Sequence, residues 1–335
     1  MLEMKMNPNM NSSDGARRTI LRQGLEVSPA FLPLKLIKRI SDCTNRKPWP
    51  RQSLIPLYKK QNELLLAYYA HCFEKQLNEL NRLQDEAEAF SDVSHAPIWM
   101  IWLQGRQEIP PELSICLDSV YRHKGSHPLH VLDLNEARNM VDIPDWLMCL
   151  YERKEIRPAL LCDYIRAALL EHYGGIWLDT SVLLVKDIPD WILDTPFWSV
   201  KGLDFFPYSV VVPDGRQWQI YAMAGQPHAL FYKGFCSLFL EYAKTINTDL
   251  DYFMSYQLSK LLRTNVAAIV ESYDQIPHNN TKCESLQAYL QGYAPIRRQG
   301  SANLFCEDTF LYKLSRHNIS LLRDNSQIIA DLVQC

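Results

Sequence analysis

Hydrophobic and polar positions divide the chain into segments of different character. Residues 1–28 are polar, rich in Met, Asn and Ser and without a hydrophobic period, which predicts a disordered tail. From about Ser53 to Phe90, apolar residues recur every three or four positions with charges between them, which is typical of amphipathic helices. We therefore predict that residues 29–95 form an α-helical N-terminal extension.

The pattern changes at Ala96, where short apolar runs begin to alternate with amphipathic stretches. The run "APIWMIWLQG" (96–105) predicts a buried strand, and "PLHVLDL" (128–134) predicts a second one. Helices are predicted between and after these strands, and helical patterns dominate again from Pro227 onward. This order predicts an α/β domain over residues 96–335, with a Rossmann-like, mostly parallel sheet and a helical C-terminal part.

Composition and charge narrow the function. With 47% hydrophobic residues in 335, the chain can bury a large core, and its net charge of −3 provides no overall positive field for nucleic acid. The nine cysteines are scattered and form no Cys-x-x-Cys pair, which argues against a disulfide framework. Together with the lack of a signal peptide pattern, this predicts a cytoplasmic protein.

The segment "FLPLKLIKRI" (31–40) mixes apolar and basic residues. It is compatible with peripheral contact to an anionic membrane surface and also with a docking segment whose lysines are solvated. Both interpretations stay open at the level of sequence.

The segment "LLCDYIRAALLEHYGGIWLDTS" (160–181) contains the largest group of candidate functional residues. Pro158 suits the first turn of a helix, and the glycine pair after Tyr173 suits its end, so a helix is predicted over 158–173. Asp163 and Arg166 lie three residues apart on it and can touch. The following strand carries Asp179 to its carboxyl end, where sheets of this type present ligand-binding side chains.

Carboxylates at these positions could accept hydrogen bonds from ribose or sugar hydroxyls, and an arginine could bind phosphate oxygens. A nucleotide sugar combines these groups. The same spacing is equally compatible with a surface ion pair between Asp163 and Arg166 and an Asx turn at Asp179.

The motif Asp163-x-x-Arg166 followed by "YGGIWLD" (173–179) resembles the core of the bacterial capsular polysaccharide synthesis proteins. These are related to sugar transferases with a DXD motif, including the family 32 mannosyltransferases and the large clostridial glucosylating toxins. The resemblance runs from Ala96 to Lys313 and includes the blocks "PIWMIWLQG", "VDIPDWL", "DIPDWI", "DYFMSYQL" and "IPHNN".

The resemblance implies a GT-A fold and a retaining glycosyltransferase of the hexosyltransferase type. The implied donor is a nucleotide sugar, typically a UDP-sugar, and the implied acceptor is a capsular or other surface polysaccharide or a lipid-linked glycan. Trp102 would stack on the base, and Asp163 would hold ribose or sugar hydroxyls. Arg166 and Asp179 would be the catalytic pair at the donor, whereas Gly174 and Gly175 would serve backbone geometry.

The sequence departs from the DXD pattern at Ser181, where the full motif has a second aspartate. A hydroxyl is a weak ligand for Mn²⁺ or Mg²⁺, so metal dependence is in doubt. A bound metal would depend on Asp179, helped by Glu307 or Asp308. Without a metal, a basic residue would neutralise the diphosphate, and the candidates are Arg297, Arg298 and Lys313.

Two later residues are further candidates for donor or acceptor contacts. Asp251 lies in "DYFMSY" and His278 lies in "IPHNN". Asp251 also suits a helix N-cap and His278 suits a turn, which are structural roles.

Two rival functions remain compatible with the sequence. Loss of the second aspartate could have left a transferase-like binding protein without activity. An aspartate at a strand tip also suits a phosphohydrolase that uses Asp179 as its nucleophile. That chemistry usually needs a second acid two residues later, which Ser181 does not supply.

Overall fold

The computed structural model describes residues 13–45, 49–204, 207–246, 250–300, 304, 306–315 and 319–329. Its helices are α1 (Ser13–Val27), α2 (Phe31–Thr44), α3 (Ile55–Cys72), α4 (Glu74–Leu80), α5 (Ser114–His123), α6 (Leu134–Met140), α7 (Asp145–Glu152), α8 (Pro158–Tyr173), α9 (Leu230–Thr245), α10 (Met254–Asn265), α11 (Ala267–Gln275), α12 (Ser285–Leu290), α13 (Ala294–Arg297) and α14 (Ile319–Asp324). Its strands are β1 (Ile98–Ile101), β2 (Leu129–Leu132), β3 (Gly175–Leu178), β4 (Val182–Leu184), β5 (Phe197–Ser199), β6 (Ala222–Gly225) and β7 (Leu311–Lys313).

A five-stranded sheet with the order β2-β1-β3-β6-β5 forms the centre of the α/β fold. β1 pairs in parallel with β2 and with β3, as the sequence predicts. β6 runs antiparallel to both β3 and β5, so β5 points in the same direction as β1, β2 and β3, and β6 opposes these four strands. The sheet is mixed because β6 is inserted antiparallel between β3 and β5.

The predicted helix before the glycine pair is confirmed as α8. Arg157 is extended at its N-cap, Pro158 follows in the first turn, and Gly174 ends the helix with a positive φ of 62°. Most of α8 is buried because it packs against α9 on one side and against β1 and β3 on another.

The helices before residue 96 share one hydrophobic core with the sheet. Leu65 and Tyr69 of α3 belong to the same buried cluster as Trp99 of β1 and Trp177 of β3. α3 packs on α10, and α4 packs on α9. The boundary at residue 96 stays a prediction, because the two parts are joined by continuous packing.

The predicted tail needs correction over part of its length. Residues 1–12 lie outside the described residues, but Ser13–Val27 form α1, which contacts α2 and α3. Gln23 is buried and donates a hydrogen bond of 3.0 Å to the carbonyl of Thr245. The prediction of disorder is therefore wrong for Ser13–Val27.

A second, two-stranded sheet brings the C-terminal part of the chain beside the end of β3. β4 and β7 pair antiparallel, and this register places Val182 opposite Lys313. The buried Asn280 side chain anchors the start of β7, because its Oδ1 accepts hydrogen bonds from the backbone N–H groups of Phe310 and Leu311. This small sheet fixes the position of Lys313 relative to the loop after β3.

Candidate functional site

Helix α8 carries a buried ion pair near the carboxyl end of the central strand β3. Arg166 Nη2 lies 2.8 Å from Asp163 Oδ1, and the two side chains are only 7% and 12% exposed. Ser255, from α10, donates a hydrogen bond of 2.5 Å to the other carboxylate oxygen of Asp163. The pair is therefore buried and held by a further hydrogen bond. It is not the solvated surface ion pair that the sequence also allowed.

Asp179 follows β3 and meets this ion pair from the sheet side. Its backbone N–H donates to the Tyr221 carbonyl at 2.9 Å, and Trp177 Nε1 donates to its Oδ1 at 3.0 Å. Arg166 Nη1 lies 3.4 Å from the same oxygen. The three predicted residues Asp163, Arg166 and Asp179 therefore form one connected cluster.

The glycine pair makes this geometry possible without contributing chemistry. Gly174 and Gly175 have φ values of 62° and 98°, which L side chains rarely adopt. A Cβ on Gly174 would lie 2.7 Å from the backbone nitrogen of Pro227, and one on Gly175 would collide with the carbonyl oxygen of Pro97. The close approach of these backbones sets where β3 begins and hence where Asp179 lies.

Lys313 completes the cluster from β7. Its Nζ lies 2.9 Å from Asp179 Oδ2 and donates a hydrogen bond of 2.6 Å to Ser181 Oγ. The ammonium also lies 5.2 Å from the centre of the Tyr221 ring. Of the three basic residues that the sequence offered, Lys313 alone lines the cavity described below, whereas Arg297 and Arg298 are exposed outside it.

These neighbours determine the charge of Asp179. Burial by itself would raise the pKa of Asp179, but the Lys313 ammonium and the Arg166 guanidinium outweigh it and hold the pKa below its ordinary value. Asp179 is therefore ionised over the whole physiological range of pH.

A cavity of about 690 Å³ opens in front of this cluster. Trp102, just beyond the end of β1, contributes an aromatic side chain to its lining, and so do Tyr252 and Tyr256 from the α10 region. A cavity of this size is large enough for a ligand of nucleotide-sugar dimensions. Its walls combine aromatic faces with the charged cluster of Asp163, Arg166, Asp179 and Lys313.

Two tryptophans, one in β1 and one just beyond its end, have different environments. Trp99 is buried, stacks on His130 at 4.8 Å and donates its Nε1–H to the Gly174 carbonyl, so it belongs to the core. Trp102 is only partly buried and lines the cavity. The placement of Trp102 is compatible with stacking on a flat ligand.

Several predicted residues do not line the cavity. Asp251 is buried and accepts a hydrogen bond from the Phe253 backbone N–H, which is the structural turn role. His278 is exposed, and its ring lies next to Gly202. Arg297 donates a hydrogen bond to the Tyr289 carbonyl. The two acids proposed as metal helpers, Glu307 and Asp308, are exposed and outside the cavity as well.

Other cavity residues were not singled out from the sequence. Glu284 lies just before α12 and accepts a hydrogen bond of 3.3 Å from the Tyr221 hydroxyl. Burial raises the pKa of Glu284 to about 7, although Tyr221 and Lys313 oppose this rise. Ser255 lies within the block "DYFMSYQL", so the resemblance in that block could have identified it. No local sequence pattern identifies Glu284.

The residues around Asp179 do not fit a divalent metal ion. Both of its carboxylate oxygens have partners in the protein, and Lys313 bridges Asp179 and Ser181 where the second DXD carboxylate would act. Within the described ranges, no group of three or more His, Cys, Asp or Glu side chains could hold a metal. Ser181 offers only a neutral hydroxyl, which Mn²⁺ and Mg²⁺ bind weakly.

None of the helices in the described part of the chain is both long enough and apolar enough to cross a membrane.

The sequence matches the model of a protein family described as "Capsular polysaccharide synthesis protein" over residues 48–329. No curated protein gives a significant match. Among solved structures, the chain is similar to "PaToxG Glycosyltransferase", with 14% identity, a TM-score of 0.35, and coverage of 81% of this chain and 98% of that one. It is also similar to the apo form of the glycosyltransferase GlyE from Streptococcus pneumoniae TIGR4, with 12% identity, a TM-score of 0.39, and coverage of 72% and 63%. Because both TM-scores lie below 0.5, neither similarity establishes the function of this chain.

Proposed function

The chain belongs to the capsular polysaccharide synthesis protein family, and on this premise we propose that it is a glycosyltransferase that uses a nucleotide-sugar donor. The observation that carries the proposal is the cluster of Asp163, Arg166, Asp179 and Lys313 in the wall of a cavity large enough for such a donor. The proposed domain is of the GT-A type, and the proposed donor is a UDP-sugar carrying a hexose.

In this proposal, the donor lies across the carboxyl ends of the strands. The base stacks on Trp102, since an aromatic face can pair with the face of any base. The sugar and ribose hydroxyls donate to carboxylate oxygens of Asp163 and Asp179, and the diphosphate approaches Lys313. This arrangement uses both the aromatic and the charged side chains that line the cavity.

Arg166 acts mainly as a positioning residue in this proposal. Its guanidinium donates to the Ile220 carbonyl, contacts both Asp163 and Asp179, and lies 4.9 Å from the centre of the Trp177 ring. Little of it remains free for a ligand, because its side chain is only 7% exposed. Arg166 instead orients the carboxylates of Asp163 and Asp179, and these two side chains contact the donor in the proposal.

Transfer requires stabilisation of the charge that develops as the nucleoside diphosphate departs. The protein supplies this mainly by fixed charges and by positioning, which act strongly in a cavity from which water is partly excluded. We propose retention at the anomeric carbon, with the acceptor hydroxyl approaching from the side of the leaving diphosphate. No protein base is required for that course.

The proposed acceptor is a capsular or other surface polysaccharide, or its lipid-linked precursor, at the cytoplasmic face of the membrane. Peripheral contact with the membrane is supported by α2, where Leu36, Ile37 and Ile40 are each about half exposed. Apolar side chains beside basic ones favour an anionic membrane surface.

A donor screen tests the proposal. Purified protein is incubated with a panel of nucleotide sugars while its melting temperature and the release of nucleoside diphosphate are measured, since a ligand of the folded state raises stability. We expect at least one donor to stabilise the protein and to be slowly hydrolysed. Asp179→Asn should lose both effects, whereas Asp118→Asn, at an exposed position outside the cavity, should keep them. Failure of every nucleotide sugar to bind the wild type would refute the proposed function.

A further inference from the structure

Lys313 occupies the position at which the family pattern leads one to expect a metal ion. The antiparallel pairing of β4 with β7 sets Lys313 opposite Val182, and the Leu314 N–H donates to the Ser181 carbonyl at 2.9 Å. The backbone of β7 is therefore bonded directly to the loop that carries Asp179 and Ser181. Lys313 is held here by the sheet, not only by its own charge.

The ammonium group is partly available to a ligand. Two of its contacts are the hydrogen bonds to Asp179 Oδ2 and Ser181 Oγ, at 2.9 and 2.6 Å. A lysine ammonium carries three N–H donors, so one remains for a further acceptor. The side chain is 23% exposed and lines the cavity, so this donor can meet a ligand oxygen.

The charges of the cluster balance before a ligand binds. Asp163 and Asp179 carry negative charges, and Arg166 and Lys313 carry positive ones. A diphosphate adds negative charge. Of the two cations in the cluster, Lys313 is the one that can turn towards it, because Arg166 is enclosed by its protein partners. A divalent ion that bound Asp179 Oδ2 would have to displace the ammonium from that oxygen.

Resting on the proposed function, we propose that the Lys313 ammonium, held between Asp179 and Ser181, neutralises the departing diphosphate in place of a divalent metal ion. The bond from the anomeric carbon to the diphosphate oxygen breaks, and its electron pair stays on that oxygen. A new bond forms from the anomeric carbon to the acceptor oxygen, and the acceptor proton passes to the departing diphosphate. Lys313 donates a hydrogen bond to the diphosphate throughout and transfers no proton.

Binding of nucleoside diphosphates by variants tests this role. The wild type, Lys313→Met, Lys313→Arg and the exposed control Lys75→Met are titrated in EDTA with UDP, GDP, ADP and CDP, and then with the nucleoside matching the diphosphate that binds. We expect Lys313→Met to weaken diphosphate binding about 10- to 100-fold, as for a lost charge-assisted hydrogen bond. Its affinity for the nucleoside should change less than about twofold, which also shows that the variant is folded. Lys313→Arg should retain most of the affinity, and Lys75→Met all of it.

Metal dependence is measured on the wild type itself, so it requires no variant. Donor hydrolysis should be as fast in EDTA as with added Mn²⁺, and Lys313→Met should be slower by about 100- to 1,000-fold, the range for a lost transition-state donor. A wild type that needs Mn²⁺, or a Lys313→Met variant that binds diphosphate normally, would overturn the inference and leave the proposed function intact. A wild type that binds none of the four diphosphates, either in EDTA or with added Mn²⁺, would refute the proposed function and the inference together.

Discussion

Glu284 should make the stability of the protein depend on pH in a defined direction. Its carboxyl lies in the cavity wall beside the Tyr221 hydroxyl, and its pKa rises to about 7 from an ordinary value of 4.5 because burial disfavours the charged form. Glu284→Gln replaces it by a neutral side chain of nearly the same shape. The variant therefore mimics the protonated form at every pH.

The magnitude follows from linkage between protonation and folding. Below about pH 4.5 the carboxyl is protonated in both the folded and the unfolded chain, so its favourable contribution is fully present. Between about pH 4.5 and the folded-state pKa of about 7 this contribution is lost, because the unfolded chain releases the proton of Glu284 while the folded chain keeps it. Each pKa unit corresponds to about 1.4 kcal/mol, so the full loss amounts to about 3 kcal/mol.

Urea denaturation of the wild type and of Glu284→Gln between pH 4 and pH 8 measures this difference. The difference in free energy of unfolding, variant minus wild type, should increase by about 3 kcal/mol from pH 4 to pH 8. Most of this increase should fall between pH 4.5 and pH 7. Glu271→Gln, at an exposed position on α11, serves as the control and should track the wild type. A constant difference between Glu284→Gln and the wild type at every pH would refute the reasoning.

Three further substitutions have expected outcomes that denaturation and binding measurements can check. Arg166→Met should lower the free energy of unfolding by about 3–5 kcal/mol, because it leaves the buried Asp163 carboxylate without its cation; a loss below about 1 kcal/mol would contradict the buried pair. Gly175→Ala should cost more than about 1 kcal/mol, because its Cβ meets the Pro97 carbonyl at a positive φ, and an unchanged melting temperature would argue against that backbone geometry. Asn280→Ala removes the acceptor for two buried N–H groups at the start of β7, so it should lose about 1–3 kcal/mol and weaken diphosphate binding through the displaced strand; normal binding would show that β7 is held without it.

Local patterns were sufficient for the unit that carries most of the chemistry. The limits of α8 were predicted from Pro158 and the glycine pair, since proline and glycine act on the backbone of their immediate neighbours. The family was also recognised from this stretch together with its neighbouring blocks, and the match over residues 48–329 confirms it. The roles proposed for Asp163 and Asp179 remain predictions, but the side chains do converge on one cavity.

The direction of β6 and the helical structure of α1 could not be predicted from local sequence patterns. An apolar run predicts a strand but not its direction, and so the antiparallel entry of β6 beside β3 was missed. Ser13–Val27 lacks a clear hydrophobic period, yet it is helical where it contacts α2 and α3. In both cases the deciding contacts are tertiary: β6 pairs with β3, and α1 packs on α2 and α3.

By itself, the sequence determined the family, the helix–turn–strand unit of α8 and β3, and the loss of the second DXD carboxylate at Ser181. Only the tertiary structure decided which cation faces that position. Lys313 is separated from Asp179 by 134 residues. The sequence could not distinguish it from Arg297 and Arg298 as the cation near the diphosphate, whereas the pairing of β4 with β7 does. Side-chain chemistry can be read locally, but a charge acts over a few ångströms of space, and that proximity is created by strand pairing between remote segments.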